Sequence, residues 1–274
     1  MKWRGATVVT LAAMTVLAAA STISAAAPAN YVAIPSGSIS SVLANDAAPG
    51  ATPVDAFSIR ATPVTNVEFL GFVSAHPQWQ RGRAPATFAD MRYLNSWRSP
   101  TLPGEANLAQ QPVTSVSWFA AQAFCENEGA RLPTWFEWEY LAAADGTRPD
   151  ARRDPVWRAR ILSWYSRSSI APLAAVGGVA NVYGVRDLHG LIWEWVDDFN
   201  ALLISADSRN QGDPDKLQFC GAGAISLKDR DNYAVLMRIA LLSSLNAADT
   251  TNNLGFRCAR STVPPSTSAM KEPR

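Results

Sequence analysis

The chain has 274 residues, 48% of them hydrophobic and 17% charged, with a formal net charge of +1. That much apolar material excludes a disordered or low-complexity chain, and balanced charge leaves no basic excess for a nucleic-acid backbone. Two histidines cannot build a three-histidine metal site, three cysteines are too few for a disulfide scaffold, and 18 Pro, 16 Gly and 10 Trp point to one loop-rich domain with an aromatic core.

Lys2 and Arg4 precede an uncharged, small-residue apolar run at 6–20, and Ser24, Ala25 and Ala26 follow. This is the order of a secretory signal peptide, expected to be cleaved after Ala26. The run is too short and alanine-rich for a membrane span, so no stable span is expected after cleavage. The protein is therefore expected to be secreted or periplasmic, in a compartment that permits disulfides.

Residues 31–39 read as an opening strand with a turn at Pro35 and Gly37, and Val54, Phe57 and Ile59 as a second short strand. A helical stretch is expected over 63–75, where Val67, Leu70 and Val73 recur at helical spacing. Residues 77–107 show no period and read as a surface excursion tacked down by Trp79 and Trp97. Ser117 caps a helix to about Glu128, with Gly129 after its end. Thr134 and Glu137 form a capping box for a helix that Gly146 closes. Residues 147–180 read mostly as loop. An extended or short helical element is expected at 232–240, a final strand at 254–260, and a flexible tail at 261–274.

Six blocks in this order resemble the formylglycine-generating enzyme (sulfatase-modifying factor) family. They are YVAIPSG at 31–37, PVTN at 63–66, and PVTSVSW at 112–118 with AFC at 123–125. GARLPT at 129–134 with EWEY at 137–140, YGVRDLHG at 183–190 with WEW at 193–195, and NLGFRC at 253–258 complete the set. The resemblance implies one domain over 27–260 with a loop-rich α+β fold, related to C-type lectins, with short strands and few helices. Most of these residues read as scaffold: Arg131 can bond Glu137 or Glu139, and the paired tryptophans bury area without long strands.

The family's oxidase binds copper(I) through two closely spaced cysteines before the final strand, and soft thiolates suit that ion. Counted back from Asn253, Asp229 and Ala234 stand at those places, and residues 221–254 hold no cysteine. The resemblance thus implies that the two-thiolate copper site is absent, and that Cys125 and Cys258 match a bonded pair. Cys220 is then left over among small residues, either an inert thiol or a reactive one. The family's ergothioneine-synthesis branch uses three histidines around iron, which His76 and His189 cannot supply; His189 reads as a structural hydrogen-bonding residue. Leu191 replaces an asparagine of a family calcium site. Asp197, Asp198, Asn200 and Asp207 form an acidic group nearby, either a solvated face or a calcium site.

Two functions follow from the resemblance. One is an exported factor that matures a peptide or secreted protein, with Cys220, Arg238, Asp229 and Arg257 as candidate catalytic groups. The other is a non-catalytic accessory or binding protein for a periplasmic copper or denitrification enzyme. Sugar binding has no supporting motif. Arg238 and Arg257 either flank a peptide groove or pair with carboxylates such as Glu194 or Asp231.

Overall fold

The computed structural model describes residues 30–40, 51–104, 108–165, 173–201 and 233–262. Among the described residues, seven strands, none longer than four residues, and five α-helices carry a loop-rich α+β fold. β1 (Tyr31–Ile34) pairs antiparallel with β4 (Phe57–Arg60), which pairs antiparallel with β7 (Ala259–Ser261). β2 (Gly37–Ile39) and β3 (Thr52–Val54) form an antiparallel hairpin-like pair. β5 (Trp193–Glu194) lies parallel to β6 (Leu254–Gly255).

Helix ends follow local chemistry. In α1 (Asn66–Ala75) Thr65 and Glu68 form a reciprocal capping box, so the helix starts at the cap, three residues later than Pro63. α2 (Trp118–Asn127) is capped by Ser117, as expected. α3 (Trp135–Ala142) has the Thr134–Glu137 box but ends before Gly146. There the Asp145 carboxylate accepts from the Thr147 and Arg148 amides and turns the chain.

Four expectations are corrected. The opening strand is two, β1 and β2, and the second strand is two, β3 and β4, each pair divided between two sheets. The stretch read as loop after Thr147 contains α4 (Pro155–Tyr165). Asp154 accepts from the Val156 and Trp157 amides, with Pro155 opening the helix. The single final strand is two short ones, β6 and β7. Between them Phe256, Arg257 and Cys258 are fully buried, and the Phe256 and Cys258 carbonyls accept from Val64 and Arg60. α5 (Tyr233–Ser243) is longer than the element anticipated there.

The core is aromatic. Phe69 contacts Phe72, Trp97, Phe124 and Phe256. Trp97 donates to Asn66 Oδ1 and anchors the 77–104 excursion, while Trp79 packs on the core half-buried. Gly255 allows β6 to lie against 113: a Cβ there would meet the Val113 carbonyl oxygen at 2.3 Å. No helix among the described residues is long and apolar enough to cross a membrane.

Cys125 of α2 is bonded to Cys258, with Cα atoms 5.4 Å apart and 133 residues between them in sequence. Closing so long a loop removes much chain entropy from the unfolded state. Replacing both cysteines by alanine is therefore expected to lower the unfolding free energy by about 3–5 kcal/mol. Denaturant titration checks this, and a loss below about 1 kcal/mol would contradict it.

Candidate functional site

α3 organises the site. Pro133 and the capping box fix its start, and Arg131 grips Glu137 through two short bonds of 2.7 and 2.6 Å. The box partner is thus Glu137, which leaves Glu139 free for another cation. Asp198 Oδ1 accepts from the Trp135 amide at 2.7 Å and completes the helix end.

One turn in, Trp138 and Glu139 meet two buried arginines. Arg238 of α5 donates from Nε and Nη2 to the Glu139 carboxylate at 2.6 and 2.7 Å, and from Nη1 to the Tyr165 hydroxyl at 2.6 Å. Its guanidinium lies 4.8 Å from the Trp138 ring centroid. The Trp138 indole N–H donates to Glu194 Oε2 at 2.9 Å. Glu194 in turn takes two bonds from Arg257, at 2.6 and 2.7 Å, with both side chains fully buried.

Beside this network lies a cleft of about 460 Å³. Trp135 and Trp138 of α3, Trp164 and Tyr165 of α4, and Trp193 of β5 line it, together with Glu194 and Arg238. Gly190, at φ +86°, permits this wall: a Cβ there would sit 2.6 Å from the Trp164 ring.

The titratable groups at the cleft are committed. His189 sits among the rings of Trp138, Trp157 and Trp164. Its Nε2 faces the Ala142 carbonyl at 2.7 Å and its Nδ1 the Tyr165 hydroxyl at 3.3 Å. The Ala142 contact assigns the proton to Nε2, so Tyr165 donates to Nδ1. Desolvation, with the Arg238 charge added, pushes its pKa down to about 3. Burial likewise raises the Tyr165 phenol above its usual range. A neutral imidazole, a neutral phenol and two closed ion pairs do not make an open acid–base pair.

Of the candidate catalytic residues, Arg238 and Arg257 fall within the described residues. Cys220 and Asp229 lie outside the described residues, as does Asp231. Arg238 borders the cleft, but its partner is Glu139. Arg257 does not flank the groove, because its guanidinium is wholly enclosed by Glu194 and backbone carbonyls. Asp207 also lies outside. Of the acidic group, Asp198 serves the helix end through its bond from the Trp135 amide. Burial raises Asp197 and Asp198 above the usual carboxylate range. Among the described residues no group of three or more His, Cys, Asp or Glu could hold a metal ion. The cleft's α4 wall was missed in the sequence. The available signal was Asp154-Pro155 followed by Trp157, Ile161 and Trp164 at helical spacing.

Residues 18–262 match the sulfatase-modifying factor enzyme 1-like domain. The chain belongs to this family. Its relatives differ in what they do. It is 30% identical to the formylglycine-generating enzyme of Streptomyces coelicolor, over 77% of this chain and 82% of that one. It is 29% identical to inactive C-alpha-formylglycine-generating enzyme 2 of Bos taurus, over 60% of this chain and 55% of that one. It is 30% identical to hercynine oxygenase of Mycobacterium tuberculosis, over 52% of this chain and 37% of that one. The sulfatase-modifying factor fold of this chain thus spans little more than half of the bovine relative and about a third of the mycobacterial one.

The His189 environment has a pH consequence. Unfolding returns the imidazole to its ordinary value of 6.5, so the unfolded state takes up this proton first as pH falls. Stability from the neutral ring is complete above pH 6.5 and is lost progressively toward about pH 3. His189→Gln is expected to flatten this part of the stability–pH curve, whose slope is at most about 1.4 kcal/mol per pH unit. Parallel wild-type and variant curves would contradict it.

Proposed function

We propose that the chain is an exported member of the family that matures a peptide or secreted protein, holding this client in the aromatic cleft. We further propose that it acts without the two-thiolate copper site. The observation that carries the reading is the cleft itself: a space of about 460 Å³ with aromatic walls, within the range of ligand sites, on a scaffold shared with enzymes. Its export rests on the order of charge, apolar run and small residues over 1–26. The copper reading rests on thiol supply. Cys125 and Cys258 are spent on each other, and Cys220 is one thiolate where copper(I) oxidation in this family uses two. A second reading, a non-catalytic accessory that binds its client, is favoured by the closed ion pairs at the cleft.

The test incubates mature protein with copper, oxygen, reductant and a sulfatase-motif peptide, read by mass. No conversion of the peptide cysteine to an aldehyde is expected. Robust aldehyde formation that survives Cys220→Ala would contradict the reading. The intact mass of the same preparation, taken from the exporting compartment, is expected to lack residues 1–26. A full-length cytoplasmic product would contradict export.

A further inference from the structure

The 77–107 excursion gathers positive charge and exposed apolar side chains into one stretch of chain. Arg81, Arg83, Arg92 and Arg98 stand there against Asp90 and Glu105, whereas the whole chain carries a formal charge of +1. Met91 is fully exposed, and Phe88, three residues before it, is 42% exposed. Phe88 is not isolated. Its ring lies edge-on to Phe119 of α2, with centroids 5.1 Å apart, and 6.1 Å from Trp79, while Phe119 lies 5.5 Å from Trp118. Trp79, Trp118 and Phe119 are half-buried, so the four rings form one continuous stripe and not scattered surface side chains. None of these residues lines the cleft.

The chain that presents these groups is held on both sides. The Asp90 amide donates to the Ala248 carbonyl, and the Asp90 carboxylate accepts from the amide and hydroxyl of Thr250. Tyr93 is buried, its hydroxyl donates to the Trp79 carbonyl, and the Leu94 amide donates to the Ser115 carbonyl. Met91 and Arg92 sit between these anchors, so a partner that binds them has little chain left to order. Arg92 donates from Nε and Nη2 to Asp90, yet its side chain stays 62% exposed. Asp90 is thus spent on Thr250 and Arg92, and Arg83 is exposed as well. The charge that this stretch carries in excess is that of arginine.

We propose that this stripe is a docking face for an acidic segment of a partner protein, which seats an apolar side chain on Phe88 and Met91 and carboxylates on Arg83 and Arg92. Aromatic rings, Met and Arg are what protein interfaces concentrate. A methionine adapts its shape to an apolar guest, and arginine meets carboxylates through paired N–H groups. A lipid surface fits less well. Two exposed arginines and one projecting apolar side chain fall short of the polybasic cluster or doubled anchor that stable membrane binding takes. The docking face is independent of the cleft and of the client read there.

Calorimetric titration of the mature protein with the acetylated, amidated peptide Asp-Glu-Phe-Leu-Asp-Glu tests this, with Lys-Lys-Phe-Leu-Lys-Lys as its charge-reversed control. The acidic peptide is expected to bind at least about tenfold more tightly than the basic one, and to lose affinity as salt is raised. Met91→Asp sets a carboxylate at the fully exposed position, and Arg83→Glu reverses an exposed charge. Each is expected to weaken the acidic peptide at least about fivefold. Both positions lie on the surface, so both variants are expected to keep the wild-type unfolding transition; should one fail to fold, the other carries the test. Equal binding of the two peptides, no binding of the acidic one, or unchanged affinity in either folded variant would overturn the proposal. So would co-sedimentation with phosphatidylserine vesicles, or self-association of the protein, that these variants abolish, because the face would then belong to a lipid surface or to a second copy.

Discussion

Arg257 uses all five of its N–H groups inside the protein. Nε and one Nη2 hydrogen go to Glu194, the other Nη2 hydrogen to the Arg186 carbonyl, and Nη1 to the Arg60 and Ala61 carbonyls. A fold with strands of two to four residues leaves many backbone carbonyls without a ladder partner, and buried carbonyls need donors. Here one planar side chain supplies them and ties the end of β4, the 183–190 turn, β5 and the segment after β6 to a single point. The counter-charge from Glu194 is what makes that burial tolerable.

The same carboxylate links the scaffold to the cleft. Glu194 also accepts from Trp138, Trp138 carries Arg238 on its face, and Arg238 clasps Glu139 and Tyr165. Two ion pairs therefore position one wall from each of α3, α4 and β5. The charges closest to the cleft are consumed in holding its shape. Among the described residues, the cleft walls that remain are largely indole, phenol and aliphatic surface. The family's range, from a formylglycine-generating enzyme to an inactive relative, fits a scaffold whose chemistry resides in residues added to it.

Much of the fold was legible in the sequence because its signals are local. Ser117 and the Thr134–Glu137 pair mark helix starts by chemistry that acts within one turn. The Thr65–Glu68 box was equally local but overshadowed by Pro63. α4 was hidden because an arginine-rich composition blurred the Trp157–Ile161–Trp164 stripe. The final strand broke in two because the burial of Arg257 and the Cys258 bond, both long-range, override local extension. The cleft was not legible at all: Trp135, Trp164 and Trp193 converge from three elements, and no spacing in the chain encodes that meeting. The pairing of Arg238 with Glu139, 99 residues away, is invisible for the same reason.

The scaffold depends on the Glu194 charge compensating buried Arg257. Glu194→Gln preserves shape and one acceptor but removes the charge, so the guanidinium stays buried without its counter-ion. The unfolding free energy of this variant, measured by denaturant titration against wild type, is expected to fall by about 3–5 kcal/mol. A change below about 1 kcal/mol would show that the scaffold and the cleft it shapes do not depend on this pair.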